Sequence, residues 1–386
     1  MPTTDRRVST FELFFDLVFV FAFTQVTASL AHDLNWTGLV HGLLVFAVLW
    51  WAWGAYAWLT NAVPTEGAPR LVLLAGMASM LVVALAVPTA FDGSGVAFAA
   101  AYLLVMVFHA VLFAVAGERR DLTRAAIARL APTNLIPGAV LMVAGLTHGD
   151  VQLALWIVAV VLTYAGPYLF GVAGWQVDVP HFVERHGLIL IIALGESIVA
   201  IGAGATGDVD VQLATSALLA VALAGGLWWA YFAGEATHAE HALQNRTGLP
   251  QSSLARDIYS YLHIPLTLGI VLSALGIKLA LSHPDDVLHD VAAVALGGGV
   301  AGFFGALAAI RLRIGLRPRP SQLLAAAAAL AVIPLATEVT ATAALATLAA
   351  VTVAAAVADA LAKEPEPGQE QPRPQSDAEP DVNASA

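Results

Sequence analysis

The sequence predicts an all-helical membrane protein with about twelve transmembrane helices, and three observations support this fold class. Of the 386 residues, 59% are hydrophobic and only 12% are charged, and the mean hydropathy is +0.78. Soluble globular domains carry about twice that share of charged residues. Apolar runs of roughly membrane-spanning length alternate with short polar turns. The basic residues fall on alternate connections between these runs, as in multi-pass proteins.

The twelve predicted helices divide equally between the two halves of the chain. In the first half they cover residues 11–31, 38–60, 70–91, 95–116, 131–147 and 151–173. In the second half they cover residues 183–205, 211–234, 258–281, 289–312, 321–337 and 341–362. The turns between them, such as Asp33–Asn35 and Asp208–Asp210, are too short to form separate domains.

The distribution of basic residues predicts the orientation. With the N-terminus inside, every Lys and Arg except Lys278 falls on an inner segment, which is 16 of 17. Lys278 lies near the outer end of the ninth predicted helix, where a long basic side chain can reach the interface. Because basic residues mark cytoplasmic loops, the pattern predicts that both termini are cytoplasmic.

Recurring motifs indicate an internal duplication. The first helix opens with Glu12-Leu-Phe-Phe-Asp16 and the seventh with Glu184-Arg-His-Gly187. The second carries Leu49-Trp-Trp-Ala-Trp53 and the eighth Leu227-Trp-Trp-Ala-Tyr231. Since six helices per unit is an even number, the two repeats would be parallel. The predicted units are residues 1–180 and 181–362, followed by a disordered cytoplasmic tail, rich in proline and acidic residues, over residues 363–386.

Composition also excludes several classes of function. The chain has no cysteine, so disulfides and thiol catalysis are impossible. The net charge is -11 and no basic patch is present, so the sequence does not predict nucleic-acid binding. A phosphate-binding loop, an HExxH motif and a nucleophile elbow are all missing from the sequence. We therefore expect no enzyme activity, cofactor or metal, and the expected partners are the lipid bilayer and a small solute or ion.

The seventh predicted helix contains the first candidate site. Glu196 lies within its apolar run, with Ser197 directly after it. An ionised carboxylate at mid-bilayer costs about 2.5–3.5 kcal/mol on insertion scales, so it needs a partner or a function. One interpretation is a proton or substrate site, and the other is a carboxylate that is hydrogen-bonded only to stabilise the bundle.

Charged residues at the inner ends of the first and seventh helices form the second candidate site. Glu12 and Asp16 lie one helical turn apart, and Glu184 and Arg185 open the seventh helix. Glu12 could instead cap its helix, where a carboxylate near the N-terminus is favourable. We predict that the two helices face each other at the centre, with Arg185 near Glu12 or Asp16 and with Glu196 deeper in the bundle.

Histidines within the apolar runs are further candidates. His109 lies in the fourth helix and His263 at the start of the ninth, where they could relay protons or act as hydrogen-bonded packing residues. His181 with Glu184, and His238 with His241, have a spacing that metal sites use. Neither pair has a completing set of ligands, so no metal site is predicted.

Four motifs resemble those of the bacterial low temperature requirement A family. They are Phe11-Glu-Leu-Phe-Phe-Asp-Leu-Val-Phe-Val-Phe-Ala22, His181-Phe-Val-Glu-Arg-His-Gly187, Leu194-Gly-Glu-Ser-Ile-Val199 and Tyr259-Ser-Tyr-Leu-His-Ile-Pro265. The resemblance covers roughly residues 8–360. It implies a multi-pass protein of the bacterial inner membrane, linked by name to growth in the cold and so to stress response. It brings no settled biochemical activity, so the motif residues mark positions of interest rather than assigned roles.

Three functions fit these observations. The first is a proton-coupled secondary transporter, because an acid in an apolar site can exchange a proton near neutral pH. The second is an ion channel that uses the same acids to attract cations. The third is a protein that maintains lipids or the envelope during cold growth. The sequence leaves the solute or ion and the oligomeric state open.

Overall fold

The computed structural model describes residues 7–62, 67, 69–117, 124–172, 175, 177–205 and 208–362, without the side chains of 115–117 and 124–131. The regular secondary structure of these ranges is helical. They contain no strand, and only one isolated β-bridge, between Val287 and Thr340. The predicted all-α fold class is therefore confirmed. The predicted tail, residues 363–386, lies outside the described residues.

The helices follow one another through the whole described chain. They are α1 (Thr10–His32), α2 (Trp36–Ala62), α3 (Pro69–Ala86), α4 (Gly95–Gly117), α5 (Arg124–Ala144), α6 (Gly149–Leu169), α7 (Val179–Gly204), α8 (Val211–Phe232), α9 (Glu235–Gln244), α10 (Gly248–Ala255), α11 (His263–Ser282), α12 (Asp290–Ala293), α13 (Gly299–Ile314), α14 (Pro320–Ala336) and α15 (Ala341–Leu361). A π-helical turn, Arg256–Leu262, joins α10 to α11, and a second, Val294–Gly298, joins α12 to α13.

Ten continuous helical segments of the described chain are long and apolar enough to span a membrane, and two shorter apolar helices complete the series. The short ones are the fifth and eleventh predicted helices, Pro132–Ala144 and Pro320–Ala336. The stretch that begins at Pro132 is the part of α5 whose side chains are described, and the whole helix, Arg124–Ala144, has 21 residues. At α14 the helix starts at Pro320, a residue favoured in the first helical turn. The prediction of about twelve membrane helices is confirmed, and α14 has 17 residues, the length of the predicted eleventh helix.

The helices pack closely because small residues line their contacts. A Cβ atom added to Gly204 of α7 would lie 2.5 Å from the carbonyl oxygen of Lys278 in α11. One added to Gly269 of α11 would lie 2.5 Å from the carbonyl oxygen of Gly299 at the start of α13. Helices in membranes associate largely through such close backbone contact. As a result α7 packs along α11 and also contacts α1 and α8.

Both π-helical turns lie where the sequence disfavours a regular helix. Pro265 has no N–H, so it cannot donate to the carbonyl oxygen of Tyr261 four residues earlier. Ahead of it, the N–H of His263 reaches the carbonyl oxygen of Ile258, five residues back. The other π-helical turn runs into the glycines Gly297–Gly299. Pro265 and Gly297–Gly299 thus account for where the two distorted turns occur.

Corresponding helices of the two predicted repeats have similar neighbours. In the first half α1 packs on α3, α3 on α4, and α2 contacts α6. In the second half α7 packs on α11, α11 on α13, and α8 packs on α15. In these contacts α1 corresponds to α7, α2 to α8, α3 to α11, α4 to α13 and α6 to α15. They are the first, second, third, fourth and sixth predicted helices of each half. The duplication itself remains a prediction, and this agreement in packing supports it.

Candidate functional site

Arg185 contacts two carboxylates of α1 at the end of the bundle where α1 and α7 both begin. Its Nη2 donates to Oδ1 of Asp16 at 3.0 Å, and its Nη1 donates to Oε1 of Glu12 at 3.3 Å. Arg185 also donates to the hydroxyl of Thr60. All three charged side chains are at most 1% exposed. The predicted contact of Arg185 with Glu12 or Asp16 is confirmed, and it involves both acids.

Glu12 also caps the start of α1. Its Oε2 accepts from the backbone N–H of Ser9 at 2.9 Å and from the Ser9 hydroxyl at 2.8 Å. The Ser9 hydroxyl in turn accepts from the N–H of Glu12, which completes a capping box. Glu12 therefore both caps α1, through Oε2, and contacts Arg185, through Oε1.

His181 belongs to the same cluster, and hydrogen bonds at both ring nitrogens fix its orientation. The side-chain carbonyl of Asn61 accepts from the N–H of Asp178 at 3.0 Å, which fixes the orientation of the amide. The Asn61 nitrogen then donates to Nδ1 of His181 at 3.2 Å. Nδ1 must accept, so the ring proton is on Nε2, which donates to Oε1 of Glu12 at 3.1 Å. We call Arg185, Glu12, Asp16 and His181 the Arg185 cluster.

Asp16 is unevenly bonded. Its Oδ1 accepts from Arg185 and also from the indole N–H of Trp53 at 3.1 Å. Its Oδ2 is buried and has no hydrogen-bond partner among the described residues. The ring of Trp53 packs edge-on against His186, with ring centroids 4.8 Å apart. One oxygen of this carboxylate is thus fixed, while the other is able to accept a further donor.

Glu184 lies outside the Arg185 cluster. Its side chain is exposed, and Oε2 accepts from the backbone N–H of Val8 at 3.0 Å. The contact attaches the chain before α1 to the start of α7. Among the sequence candidates, Glu184 is therefore a surface residue that links the two helix ends.

Glu196 lies farther along the contact between α1 and α7. It is 3% exposed, and its Oε2 accepts from the hydroxyl of Thr24 at 2.6 Å. Lys278 is close enough for electrostatic interaction, but within the described residues no Lys or Arg forms an ion pair with Glu196. Ser197 beside it is fully buried, and its hydroxyl has no partner in the described part of the chain. Glu196 faces the bundle, at the predicted greater depth.

His109 is fixed by two hydrogen bonds. The side-chain oxygen of Asn134 accepts from the indole N–H of Trp51 at 3.0 Å, so the amide nitrogen faces the histidine. That nitrogen donates to Nδ1 of His109 at 3.3 Å, and Nε2 donates to the carbonyl oxygen of Ala55 at 3.1 Å. Both ring nitrogens are occupied within the core. This geometry favours the packing interpretation of His109 over a proton relay.

His263 is held in a similar way. Its Nδ1 donates to the carbonyl oxygen of Ile258 at 2.9 Å, inside the first π-helical turn. Its Nε2 therefore accepts, from the hydroxyl of Tyr231 at 3.0 Å. The ring packs against Tyr259, with centroids 4.6 Å apart. This histidine stabilises the distorted start of α11, which is also the packing interpretation.

Sequence reasoning missed a second buried ion network, formed by α9, α13, α14 and α15. Oε1 of Glu235 accepts from Arg311 at 2.9 Å and from the amide of Gln322 at 3.0 Å. Arg319 lies 3.3 Å from the same oxygen and 3.2 Å from Asp359. Asp359 and Glu235 are separated by more than a hundred residues in sequence, so spacing could not connect them. The sequence did contain one indication of this network, because Asp359 and Glu235 lie inside or beside apolar runs, where a charged residue needs a partner.

No group of three or more His, Cys, Asp or Glu side chains suited to a metal ion occurs in the described ranges. In the His181 and Glu184 pair, His181 is bonded to Asn61 and Glu12, whereas Glu184 is on the surface. The two residues therefore face different partners.

Helices of membrane-spanning length, with acids and arginines paired inside the bundle, define a multi-pass membrane protein. The model of the bacterial low temperature requirement A protein (LtrA) family matches residues 7–357. The chain therefore belongs to this family, as the four motifs predict. It is also 33% identical over 315 residues to an uncharacterized protein of Rhizobium meliloti (strain 1021), a match that covers 77% of this chain and 76% of the relative. No solved structure matches the chain.

Proposed function

We propose that this protein is a proton-coupled secondary transporter of a small solute in the bacterial inner membrane. The observation that carries this proposal is the environment of Glu196, a carboxylate buried between α1 and α7 and bonded to the Thr24 hydroxyl at 2.6 Å. A hydroxyl can donate or accept, so it can bond both the charged and the protonated carboxyl. Such a partner suits a group that exchanges a proton.

The proposed orientation puts the Arg185 cluster at the cytoplasmic end. Described arginines such as Arg256, Arg311 and Arg319 lie near the ends of helices that connect on this side, while Lys278 packs beside Gly204 at the opposite end of α7. Basic residues favour the cytoplasmic side of membrane proteins. With this orientation, both termini are cytoplasmic, and Glu196 lies on the outer side of the Arg185 cluster.

The Arg185 cluster and Glu196 have different roles in the proposed transport cycle. The Arg185 cluster joins α1 to α7 through charged hydrogen bonds and keeps the cytoplasmic end of this contact closed. Glu196 takes up a proton from the outer side, which removes a charge from the same contact. Because both sites lie between helices of different halves, a change of charge at one alters how strongly the halves hold together. Rocking of one half against the other is a common route to alternating access.

The test uses purified protein in liposomes that contain a pH-sensitive dye. A panel of small solutes is added under an imposed pH gradient, and solute-dependent proton flux is measured. We expect Glu196→Gln to abolish this flux and Glu184→Gln, which changes an exposed carboxylate, to retain it. Unchanged solute-dependent proton flux in Glu196→Gln would overturn proton coupling through this residue.

A channel would use the same acids, and electrical recording separates the two functions. Single-channel current steps across a planar bilayer would replace the transporter proposal with a channel. Slow, saturable flux without such steps is the outcome expected of a transporter.

A further inference from the structure

A pocket with an internal volume of about 80 Å³ lies between α2, α5, α6 and the first π-helical turn. Its walls include the rings of Trp50, Trp51, Trp58 and Trp175. Phe170, which is 49% exposed, forms part of its rim. The wall of the pocket is far more apolar than most protein surfaces, as in small-molecule sites. This pocket contains none of the acids proposed to carry protons.

The indole N–H groups of three tryptophans in the wall have hydrogen-bond partners. The indole N–H of Trp50 donates to the carbonyl oxygen of Ser260 at 3.0 Å, and that of Trp58 donates to the Ser260 hydroxyl at 2.9 Å. The indole N–H of Trp51 donates to Asn134 at 3.0 Å. The rings therefore offer carbon surface to an occupant. An apolar body fits such a wall better than a polar one, because it leaves no hydrogen-bonding group unsatisfied.

The charge at one side of the pocket is positive. Arg256 lines the pocket and lies 2.7 Å from Asp257, which also lies 2.7 Å from Arg313. Two guanidinium groups thus share one carboxylate, which leaves a net charge of +1. The side chain of Arg313 is 41% exposed. A basic group beside an apolar cavity near the membrane surface suits the anionic head of an amphiphile.

We propose that this pocket binds one acyl chain of an anionic amphiphile from the adjacent leaflet, with the anionic group at Arg256 and Arg313. The occupant has an apolar chain and a carboxylate or phosphate head, so it is a fatty acid or an anionic phospholipid. The chain packs against Trp51, Trp58 and Trp175, and the exposed rim at Phe170 gives it entry from lipid. The site is independent of proton coupling at Glu196.

The glycine Gly54 allows a sharp test. It is buried in α2 and lines the pocket, and an added Cβ would meet no atom within 4 Å. Gly54→Leu therefore places a larger side chain at the pocket wall, starting from a Cβ that meets no neighbour. Gly305→Leu in α13 is the matched control, since an added Cβ there also meets nothing within 4 Å, and Gly305 is exposed. Ala55→Leu is a second filling variant should Gly54→Leu fail to fold.

The probes are a diazirine-bearing fatty acid, and phosphatidylglycerol and phosphatidylcholine that carry the same diazirine-bearing chain. The full-length protein in nanodiscs is irradiated with each, and labelled peptides are identified by mass spectrometry. We expect both filling variants to lose several-fold of the labelling of residues 50–58, and Gly305→Leu to match the unmodified protein.

The outcomes separate the possible occupants. Labelling by the fatty acid alone or by phosphatidylglycerol alone supports the proposal and identifies the source of the anion. Arg256→Gln with Arg313→Gln should reduce the anionic labelling to the level of phosphatidylcholine. Equal labelling by phosphatidylcholine in the unmodified protein, or undiminished labelling in both filling variants, would overturn the proposal.

Discussion

The guanidinium of Arg185 lies between two carboxylates of α1, 3.0 Å from Asp16 and 3.3 Å from Glu12. The cluster therefore has one positive charge against two negative charges, with His181 donating a further hydrogen bond to Glu12. Removing Arg185 leaves two acids buried side by side, whereas removing Asp16 leaves an ion pair intact. The four residues should consequently respond unequally to substitution.

We expect Arg185→Ala to lower the free energy of unfolding by about 3–5 kcal/mol, since it leaves buried charges without their partner. Asp16→Asn should have a smaller effect, because Arg185 keeps Glu12. A double change, Arg185→Gln with Asp16→Asn, should be less harmful than Arg185→Ala alone. Unfolding in detergent, followed by tryptophan fluorescence, measures all three.

Arg246→Ala provides the control for this series, because the Arg246 side chain donates to a backbone carbonyl within its own turn, that of Ala242. If Arg185→Ala were no more harmful than Arg246→Ala, the Arg185 cluster would not stabilise the contact of α1 with α7.

The second prediction concerns the partner of Glu196. Thr24→Val removes the hydroxyl that donates at 2.6 Å, and we expect a loss of about 1–3 kcal/mol because a buried acceptor loses its donor. Combining Thr24→Val with Glu196→Leu should recover part of that loss. A double-mutant cycle of unfolding free energies measures the coupling. Thr215→Val is the control, since its hydroxyl bonds only to a carbonyl of its own helix; purely additive effects at Thr24 and Glu196 would contradict the prediction.

The third prediction separates packing from proton transfer at His109. His109→Gln should reduce stability by about 0.5–1.5 kcal/mol, because a hydrogen bond to Asn134 or Ala55 is weakened. The pH profile of transport should stay the same, since both ring nitrogens are used by the fold. A shifted pH profile in a normally folded His109→Gln protein would restore His109 as a proton relay.

The fourth prediction compares two glutamates of α9. Glu235→Ala should destabilise the protein by about 3–5 kcal/mol, because it removes the acid shared by Arg311 and Arg319 inside the bundle. Glu240→Ala should change stability little, since the side chain of Glu240 bonds Gln244 on the exposed side of the same helix. Thermal unfolding of the two variants makes the comparison, and equal effects would mean that the buried network is not stabilising.

The fifth prediction tests orientation, and it benefits from a chain without cysteine. Val209, between α7 and α8, is 83% exposed, and Asn245, between α9 and α10, is also exposed. In spheroplasts a membrane-impermeant maleimide should label Val209→Cys directly and Asn245→Cys only after permeabilisation. The reverse pattern would mean that the basic residues face outward.

The sequence predicts the parts of this structure that depend on the membrane itself. Apolar runs specify the helices, and the cost of a buried charge requires a partner, which is why Arg185 could be assigned to Glu12 or Asp16 in advance. The network of Glu235 and Arg311 could not be assigned in this way. From the sequence, Arg311 could equally be an exposed arginine of a loop or a buried arginine with an acidic partner.

Other features depend on side-chain orientation, which sequence patterns do not specify. The orientation of the His181 ring follows from the amide of Asn61, and that amide is fixed by the backbone of Asp178. The pocket follows from the direction of four tryptophan rings, whereas the Trp-Trp motif alone indicated only a repeat. Such arrangements become visible only when elements distant in sequence are brought together.

The π-helical turn at Arg256–Leu262 constrains how chain length can vary here. Relative to a regular helix, a π turn accommodates one additional residue, and each residue advances an α-helix by about 100°. Deleting one residue between Arg256 and Leu262 would let the segment wind regularly, and Arg256 would then rotate away from the tryptophan pocket while His263 and α11 kept their packing. Relatives that lack this residue should therefore retain the helix bundle but have a different rim around the pocket.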